Sequence, residues 1–66
     1  MSTWYTHVRI EKGTEYAEYD DFFDIYAPSG EKVTPKTVAD VVVHHILQQQ
    51  PHLRGGRVNV IKIRQK

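Results

Sequence analysis

The chain has no cysteine among its 66 residues. Disulfide bonds, thiolate zinc sites and thiol nucleophiles are thereby excluded, in a size range where small secreted domains usually depend on covalent cross-links. Its longest apolar stretch, Val41 to Val43, is far shorter than the roughly 20 residues that span a bilayer. The first residues also lack the basic start and apolar run of an export signal. We therefore expect a reducing, cytoplasmic setting and no membrane insertion.

A large excess of charge of either sign is also lacking. Nine Lys and Arg oppose eight Asp and Glu, which gives a formal net charge of +1 at pH 7, and 39% of the residues are hydrophobic. This mixture excludes a disordered polyelectrolyte and a strongly basic nucleic-acid coat. The length allows one small α+β domain over residues 1–66, whose core is expected to supply only about 3–5 kcal/mol. Partner binding or oligomerisation is therefore expected.

Two segments with hydrophobic alternation predict an antiparallel hairpin. Residues from Trp4 to Ile10 alternate between an apolar and a polar face, which is typical of a half-buried strand. The second strand is predicted from Tyr16 to Ala27, a segment rich in aromatic residues. Between them Gly13 accepts positive φ, and a long or bulged hairpin tip is an alternative. After the second strand, Pro28-Ser29-Gly30 predicts a turn.

A helix is predicted from Pro35 to about Gln49 and ends before Pro51. Thr34 can cap its first turn, where proline's missing N–H is no loss. The run Val41 to Val43 favours a strand by propensity, but the helical spacing and the cap outweigh a penalty of a few tenths of a kcal/mol per residue. The apolar arc at 100° per residue holds Val38, Val41, Val42, His45, Ile46 and Gln49. On this arc, His45 is expected to pack at the edge of the core.

A third strand is predicted from Arg57 to Arg64, after the Gly55-Gly56 joint. Its alternation breaks at Val60-Ile61, which indicates either a bulge or a strand covered on both faces. The element order is therefore β-β-α-β. If the helix returns along the sheet, the third strand is antiparallel to the first, so we predict one helix packed on a mainly antiparallel sheet of order 2-1-3. Parallel pairing of the second and third strands is the less common alternative.

One helix leaves the other side of the sheet uncovered, and we call that side the open face. On it we expect side chains of the first two strands together with one side of the third: Tyr5, His7, Arg9, Phe22, Asp24 and Tyr26. Exposed apolar patches with aromatics and arginine are typical of protein-binding surfaces. Alternatively, these rings pack against the hairpin tip or against a second copy of the chain.

Charge is unevenly distributed along the sequence. Residues 1–30 contain two basic and six acidic side chains, whereas residues 31–66 contain seven basic and two acidic ones. The acidic run, in which we single out Glu18, Asp20 and Asp21, is a candidate for docking on a basic protein surface. The alternative is a solvated acidic hairpin balanced by the basic third strand.

A nucleic-acid interpretation uses the basic half of the chain. Single-strand binders combine phosphate contacts with rings that stack on bases. Tyr5, Phe22 and Tyr26 could supply the rings. The phosphate contacts would come from Arg54, Arg57, Lys62 and Arg64. The interleaved acidic residues and a pI near 8.1 rather than above 9 argue against it.

Metal and catalytic chemistry are not expected. His44 and His45 are adjacent on a helix and point about 100° apart, while His7 and His52 have no evident carboxylate partner in the sequence. The adjacent carboxylates Asp20-Asp21 point to opposite faces of a strand, so they form no acid/base pair. We therefore predict no metal, no cofactor and no enzymatic activity.

These observations lead to three hypotheses. The first is a non-enzymatic regulator, inhibitor or adaptor that binds a larger host or cellular protein through the open face and the acidic hairpin. Its small size suggests an accessory protein of a phage or mobile element. The second is a small single-stranded nucleic-acid-binding protein that uses the basic third strand. The third is a homodimer that buries the open face.

Overall fold

A computed structural model describes residues 2–27 and 32–66. The elements follow in the order β1 (Ser2–Lys12), β2 (Glu15–Ile25), α1 (Pro35–Gln49), a 3₁₀ turn (Pro51–Leu53) and β3 (Arg57–Gln65). The three strands form one sheet of order β2-β1-β3, and both pairings are antiparallel. Together with one helix packed on the sheet, this confirms the predicted α+β fold, its strand order and the bounds of its helix.

The second strand is shorter at its end than the sequence predicts. β2 ends at Ile25 rather than at Ala27, and Tyr26 lies beyond the strand with 79% of its surface exposed. The pairing explains this limit, because Ile25 already pairs with Ser2, the first residue of β1. The predicted turn at Pro28-Ser29-Gly30 lies outside the described residues.

The hairpin tip is a two-residue loop. Lys12 and Glu15 are paired, so only Gly13 and Thr14 connect the strands. Gly13 has a φ of 62° and Thr14 keeps a negative φ, which corresponds to a type II′ turn. The twist of that turn matches the strands, and the alternative of a long or bulged tip is wrong.

β3 carries a bulge where its alternation breaks. His7 pairs with Lys62 and Val8 pairs with Val60, so Ile61 is the extra residue. The bulge reverses the side-chain parity along the strand. Val58 and Val60 share one side of the sheet with Ile63, although the spacing from 60 to 63 is odd. Of the two explanations for the sequence break, the bulge is confirmed.

The core lies between α1 and the inner side of β1. The fully buried side chains include Val8 and Ile10 of β1, Val38 and Val42 of α1, and Leu53 of the 3₁₀ turn. Burial of such aliphatic side chains contributes about 1.5–3 kcal/mol each, before the entropy of ordering them is subtracted.

The buried hydroxyl of the core and the exposed cap of the helix are both hydrogen-bonded. The buried hydroxyl of Thr6 donates to the Asp21 carbonyl oxygen at 3.1 Å, and the Thr34 hydroxyl accepts the backbone N–H of Thr37 at 3.3 Å as the helix cap. The His45 ring packs edge-to-face on the rings of β2, with centroids 5.8 Å from Tyr19 and 5.5 Å from Phe23. The expected place of His45 at the edge of the core is confirmed.

Candidate functional site: the open face of the sheet

The open face collects side chains from all three strands. Its members follow from the register, since residues paired directly across antiparallel strands point to the same side. β1 contributes Tyr5, His7 and Arg9, which pair on one side with β2 and on the other with β3. The neighbouring positions are Phe22, Asp20 and Glu18 in β2 and Arg64, Lys62 and Asn59 in β3, with Asp24 and Arg57 further along these strands.

The charge of the open face changes sign across the strands. The β2 edge carries the acidic side chains Glu18, Asp20 and Asp24. The β3 edge carries the basic side chains Arg57, Lys62 and Arg64. Two strand spacings, about 10 Å, separate the two edges. The surface is therefore bipolar, although the net charge of the chain is only +1.

The bulge in β3 is responsible for the basic edge. Arg57 occupies an odd position in the strand, whereas Lys62 and Arg64 occupy even positions, so a regular strand would place them on opposite sides. The extra residue Ile61 brings all three to the open face. Sequence reasoning identified the break but did not connect it to the location of these cations.

Arg9 is held at the centre of the open face by ion pairs and a ring. Its Nη1 lies 3.2 Å from Glu18 Oε1 and its Nε lies 3.3 Å from Glu11 Oε1. The guanidinium carbon is 4.0 Å from the centroid of the Tyr16 ring, a cation–π contact. Partly exposed pairs of this kind contribute little stability individually, but together they fix the direction of the guanidinium.

Both histidines that the sequence leaves without a carboxylate partner have one. His7 Nε2 lies 2.7 Å from Glu18 Oε2, and His52 Nε2 lies 3.6 Å from Glu15 Oε2. The sequence expectation is therefore wrong on this point. For His7 the reason is cross-strand geometry, because Glu18 is the diagonal neighbour two positions from its direct partner Asp20.

Glu18 gives the open face a pH dependence in acid. The hydrogen bond to His7 is the main cause that holds the pKa of Glu18 below its ordinary value of 4.5, and Arg9 adds to the effect. Because the folded-state pKa is depressed, the carboxylate stabilises the fold above the unfolded-state pKa, and this contribution is lost as the pH falls through the folded-state value.

We expect Glu18→Gln to lower the urea midpoint at neutral pH and to lose that effect in acid. Measured from neutral pH to about pH 3, the midpoints of the wild type and the variant should converge below the ordinary carboxyl pKa of 4.5. A difference that stays constant over this range would contradict the role of the Glu18 charge.

An aromatic pair lies beside the acidic edge. The rings of Tyr5 and Phe22 meet edge-to-face with centroids 5.7 Å apart, and the Lys66 ammonium is 5.1 Å from the Phe22 ring. The Tyr5 hydroxyl donates a hydrogen bond to Asp20 Oδ1, which raises the pKa of Tyr5. Phe22 is half exposed, so its ring is accessible to a partner. The contacts with Tyr5 and Lys66 already fix the orientation of this ring.

The side chains that could hold a metal ion are His7, Glu18 and Asp20, whose donor atoms lie within 4.8 Å of one another. Each carboxylate already has another partner, since Arg9 contacts Glu18 at 3.2 Å and Tyr5 donates to Asp20. The guanidinium also opposes a bound cation electrostatically. The arrangement functions as an ion-pair network, and the absence of a metal stays a prediction.

The structure brings together six of the eight side chains predicted for protein binding, which are Tyr5, Arg9, Glu18, Asp20, Phe22 and Asp24. Asp21 instead lies on the helix side of the sheet opposite Thr6, and its carboxylate accepts the backbone N–H of Phe22 at 2.7 Å. Tyr26 lies beyond the end of β2, so its predicted place on the open face is not supported. The opposite orientations expected for Asp20 and Asp21 are confirmed.

The four residues predicted for nucleic-acid binding do not all lie on the same surface. Arg57, Lys62 and Arg64 share the open face. Arg54 lies between the 3₁₀ turn and β3, and its carbonyl oxygen accepts Lys12 Nζ at 2.8 Å. Three of the four cations therefore share one strand and one face of the sheet.

Comparison of the chain with protein-family models, curated proteins and solved structures gives no match. Within residues 2–27 and 32–66, no helix has the length and apolar character needed to cross a membrane.

Proposed function

We propose that the protein is a non-enzymatic regulator, inhibitor or adaptor that binds a larger cytoplasmic protein through the open face. The observation that carries the proposal is that the Tyr5–Phe22 ring pair and Arg9 share one face of the sheet with acidic side chains of β2 and basic side chains of β3. Aromatic and arginine side chains at the centre of a patch are the usual anchors of protein interfaces. The charged edges then determine the orientation of the partner.

The individual side chains have separate roles in this proposal. Phe22 and Tyr5 enter an apolar pocket of the partner, and Arg9 offers its fixed guanidinium to a carboxylate or a backbone carbonyl. The acidic edge docks on basic groups of the partner. Asp21 lies on the helix side and Tyr26 lies beyond the end of β2, so they contact only a partner that extends past β2.

The area of the open face is about half of what one partner buries in a standard protein interface. Three strand spacings multiplied by about nine residues give a sheet face of roughly 400 Å², against about 800 Å² per partner in a standard interface. A partner that forms an interface of standard size must therefore also contact surface beyond the open face. We propose that the protein is an accessory protein of a phage or mobile element and acts on a host protein. This part of the proposal is based on the small size of the chain alone.

A second candidate is single-stranded nucleic-acid binding. It is favoured by the bulge, which places Arg57, Lys62 and Arg64 on the same side as the Tyr5 and Phe22 rings. Phosphates bound at the basic edge could direct bases onto these rings. The acidic edge about 10 Å away repels a polyanion, and for this reason protein binding is preferred.

The test is affinity co-purification of the tagged full chain from lysate of its native host, with and without nuclease. We expect a stoichiometric protein partner that survives nuclease. Phe22→Ala is expected to weaken binding of that partner by about 30-fold, the size of a hot-spot loss. Val41→Ala changes an exposed valine on the helix side and should leave binding unchanged.

Two results would decide against the proposal. Full partner recovery by a folded Phe22→Ala variant would remove the open face as the binding surface. Proteins that are lost with nuclease would favour the nucleic-acid candidate. In that case Arg57→Ala and Arg64→Ala should each lower affinity and flatten its salt dependence.

A further inference from the structure

The outer edge of β3 is a second surface, separate from the ring pair of the open face. Within the described sheet, β3 pairs with β1 alone, so its other edge presents unpaired backbone N–H and C=O groups. The same strand exposes three aliphatic side chains. Val58 is 45% exposed, Val60 47% and Ile61 51%.

α1 contacts all three strands, yet two β3 side chains on its side of the sheet are half exposed. The flank of α1 that carries His45 packs on the Tyr19 and Phe23 rings of β2. Ile63 of β3 packs against the core, but Val58 and Val60 remain half exposed on the helix side of the sheet. An edge strand with exposed valines and unpaired backbone groups is able to accept a further strand.

The two sides of β3 have different chemistry. Val58 pairs with Ile10 and Val60 with Val8, so both valines lie on the helix side. The cations Arg57, Lys62 and Arg64 lie on the open face. Alternate side chains of an added strand would therefore meet aliphatic groups on one side and positive charge on the other.

We propose that the edge of β3 binds an extended segment of another protein in which acidic side chains alternate with aliphatic ones. The segment adds to the sheet as a fourth strand, and its backbone pairs with that of β3. Its aliphatic side chains cover Val58 and Val60, while its carboxylates pair with Arg57, Lys62 and Arg64. The bulge at Ile61 divides the backbone pairing into two short runs.

The charges of β3 also disfavour pairing with β3 of a second copy of the chain. Every charged residue in Arg57–Gln65 is basic, so pairing of β3 with β3 of a second molecule would place like charges opposite each other, which is destabilising. The basic side chains of β3 thereby oppose self-association at an edge that could otherwise pair with another strand. They favour an added strand that carries acidic side chains.

The test uses the ¹⁵N-labelled full chain and a capped nine-residue peptide in which glutamate alternates with valine. The matched control is the same peptide with lysine in place of glutamate. We expect the acidic peptide to shift the amide resonances of Arg57–Gln65 and to slow amide exchange there. The basic peptide should bind at least tenfold more weakly. Equal binding of the two peptides, or shifts confined to the neighbourhood of Tyr5 and Phe22, would overturn the proposal.

Two variants sharpen the test. Val60→Thr keeps the shape of the side chain but adds a hydroxyl, and it should weaken the acidic peptide about tenfold, whereas Val41→Thr on α1 should have no effect. The double variant Lys62→Glu with Arg64→Glu should prefer the basic peptide. An unchanged peptide preference in this variant would contradict the assigned roles of the cations.

Sedimentation of the protein without peptide tests whether a second copy of the chain binds to the edge of β3 instead. Concentration-dependent self-association that disappears in Val60→Thr would show that a second copy occupies the edge, and would overturn the proposal. The basic side chains belong to both surfaces, but two variants distinguish failure of this proposal from failure of the proposed function. Phe22→Ala should retain peptide binding, and Val60→Thr should retain the partner of the open face.

Discussion

Leu53→Ala is expected to leave a large fraction of the protein unfolded at room temperature. Leu53 lies in the 3₁₀ turn, is 1% exposed, and belongs to the same buried cluster as Ile10 and Val42. The turn contacts β1, β2 and α1. Truncating a buried leucine costs about 2–5 kcal/mol, which is comparable to the whole stability of about 3–5 kcal/mol expected for a core of this size.

Circular dichroism with urea titration measures this effect. The matched control is Ile61→Ala, which removes an aliphatic side chain that is half exposed on the edge strand, and it should cost less than about 1 kcal/mol. A Leu53→Ala variant that unfolds at nearly the wild-type urea midpoint would show that the 3₁₀ turn is not part of the cooperative core.

Gly56→Ala is the second substitution with a large expected effect. A Cβ at this position would lie 2.6 Å from the Glu11 carbonyl oxygen, 2.9 Å from the Leu53 carbonyl oxygen and 3.1 Å from Lys12 Cβ. Two of these neighbours are backbone atoms, so the contact is relieved only if the junction before β3 moves away from the hairpin. Overpacking of this kind typically costs about 1–3 kcal/mol, and sometimes more.

Gly55→Ala provides the comparison. Gly55 has a φ of +85° but has no atom within 4 Å of an added Cβ, so its substitution costs only backbone strain, about 1–2 kcal/mol. We expect the urea midpoint to fall further in Gly56→Ala than in Gly55→Ala. Amide shifts at Glu11 and Lys12 should accompany the Gly56 substitution only. The reverse order of the two midpoints would contradict the clash.

Local patterns were sufficient to predict most of the fold. The alternation from Trp4 to Ile10 identifies a strand with one buried face, and the preference for antiparallel pairing places that strand in the centre of the sheet. The Thr34 cap and the spacing of Val38, Val42 and Ile46 overcame the strand propensity of the valine run, and α1 has the predicted bounds. The break at Val60-Ile61 marked the bulge.

Features that depend on tertiary geometry were not predictable in this way. The diagonal pair of His7 and Glu18 requires the hairpin register, and that register follows from a two-residue tip that the sequence left open. The burial of Leu53 depends on where the chain returns after α1, because an isolated leucine in a short turn has no periodic pattern. The second strand was predicted to extend to Ala27 because aromatic composition continues beyond the point where β1 offers a partner.

The bipolar open face affects how the protein meets a partner before contact. With a net charge of only +1, the molecule experiences little long-range attraction or repulsion as a whole. Charges of opposite sign on the β2 and β3 edges instead form an electric dipole that lies across the strands, and an external field rotates such a dipole. Added salt screens this torque within about 10 Å at 0.1 M. Salt is therefore expected to slow association, because fewer encounters arrive correctly oriented, while dissociation from the apolar anchors changes little.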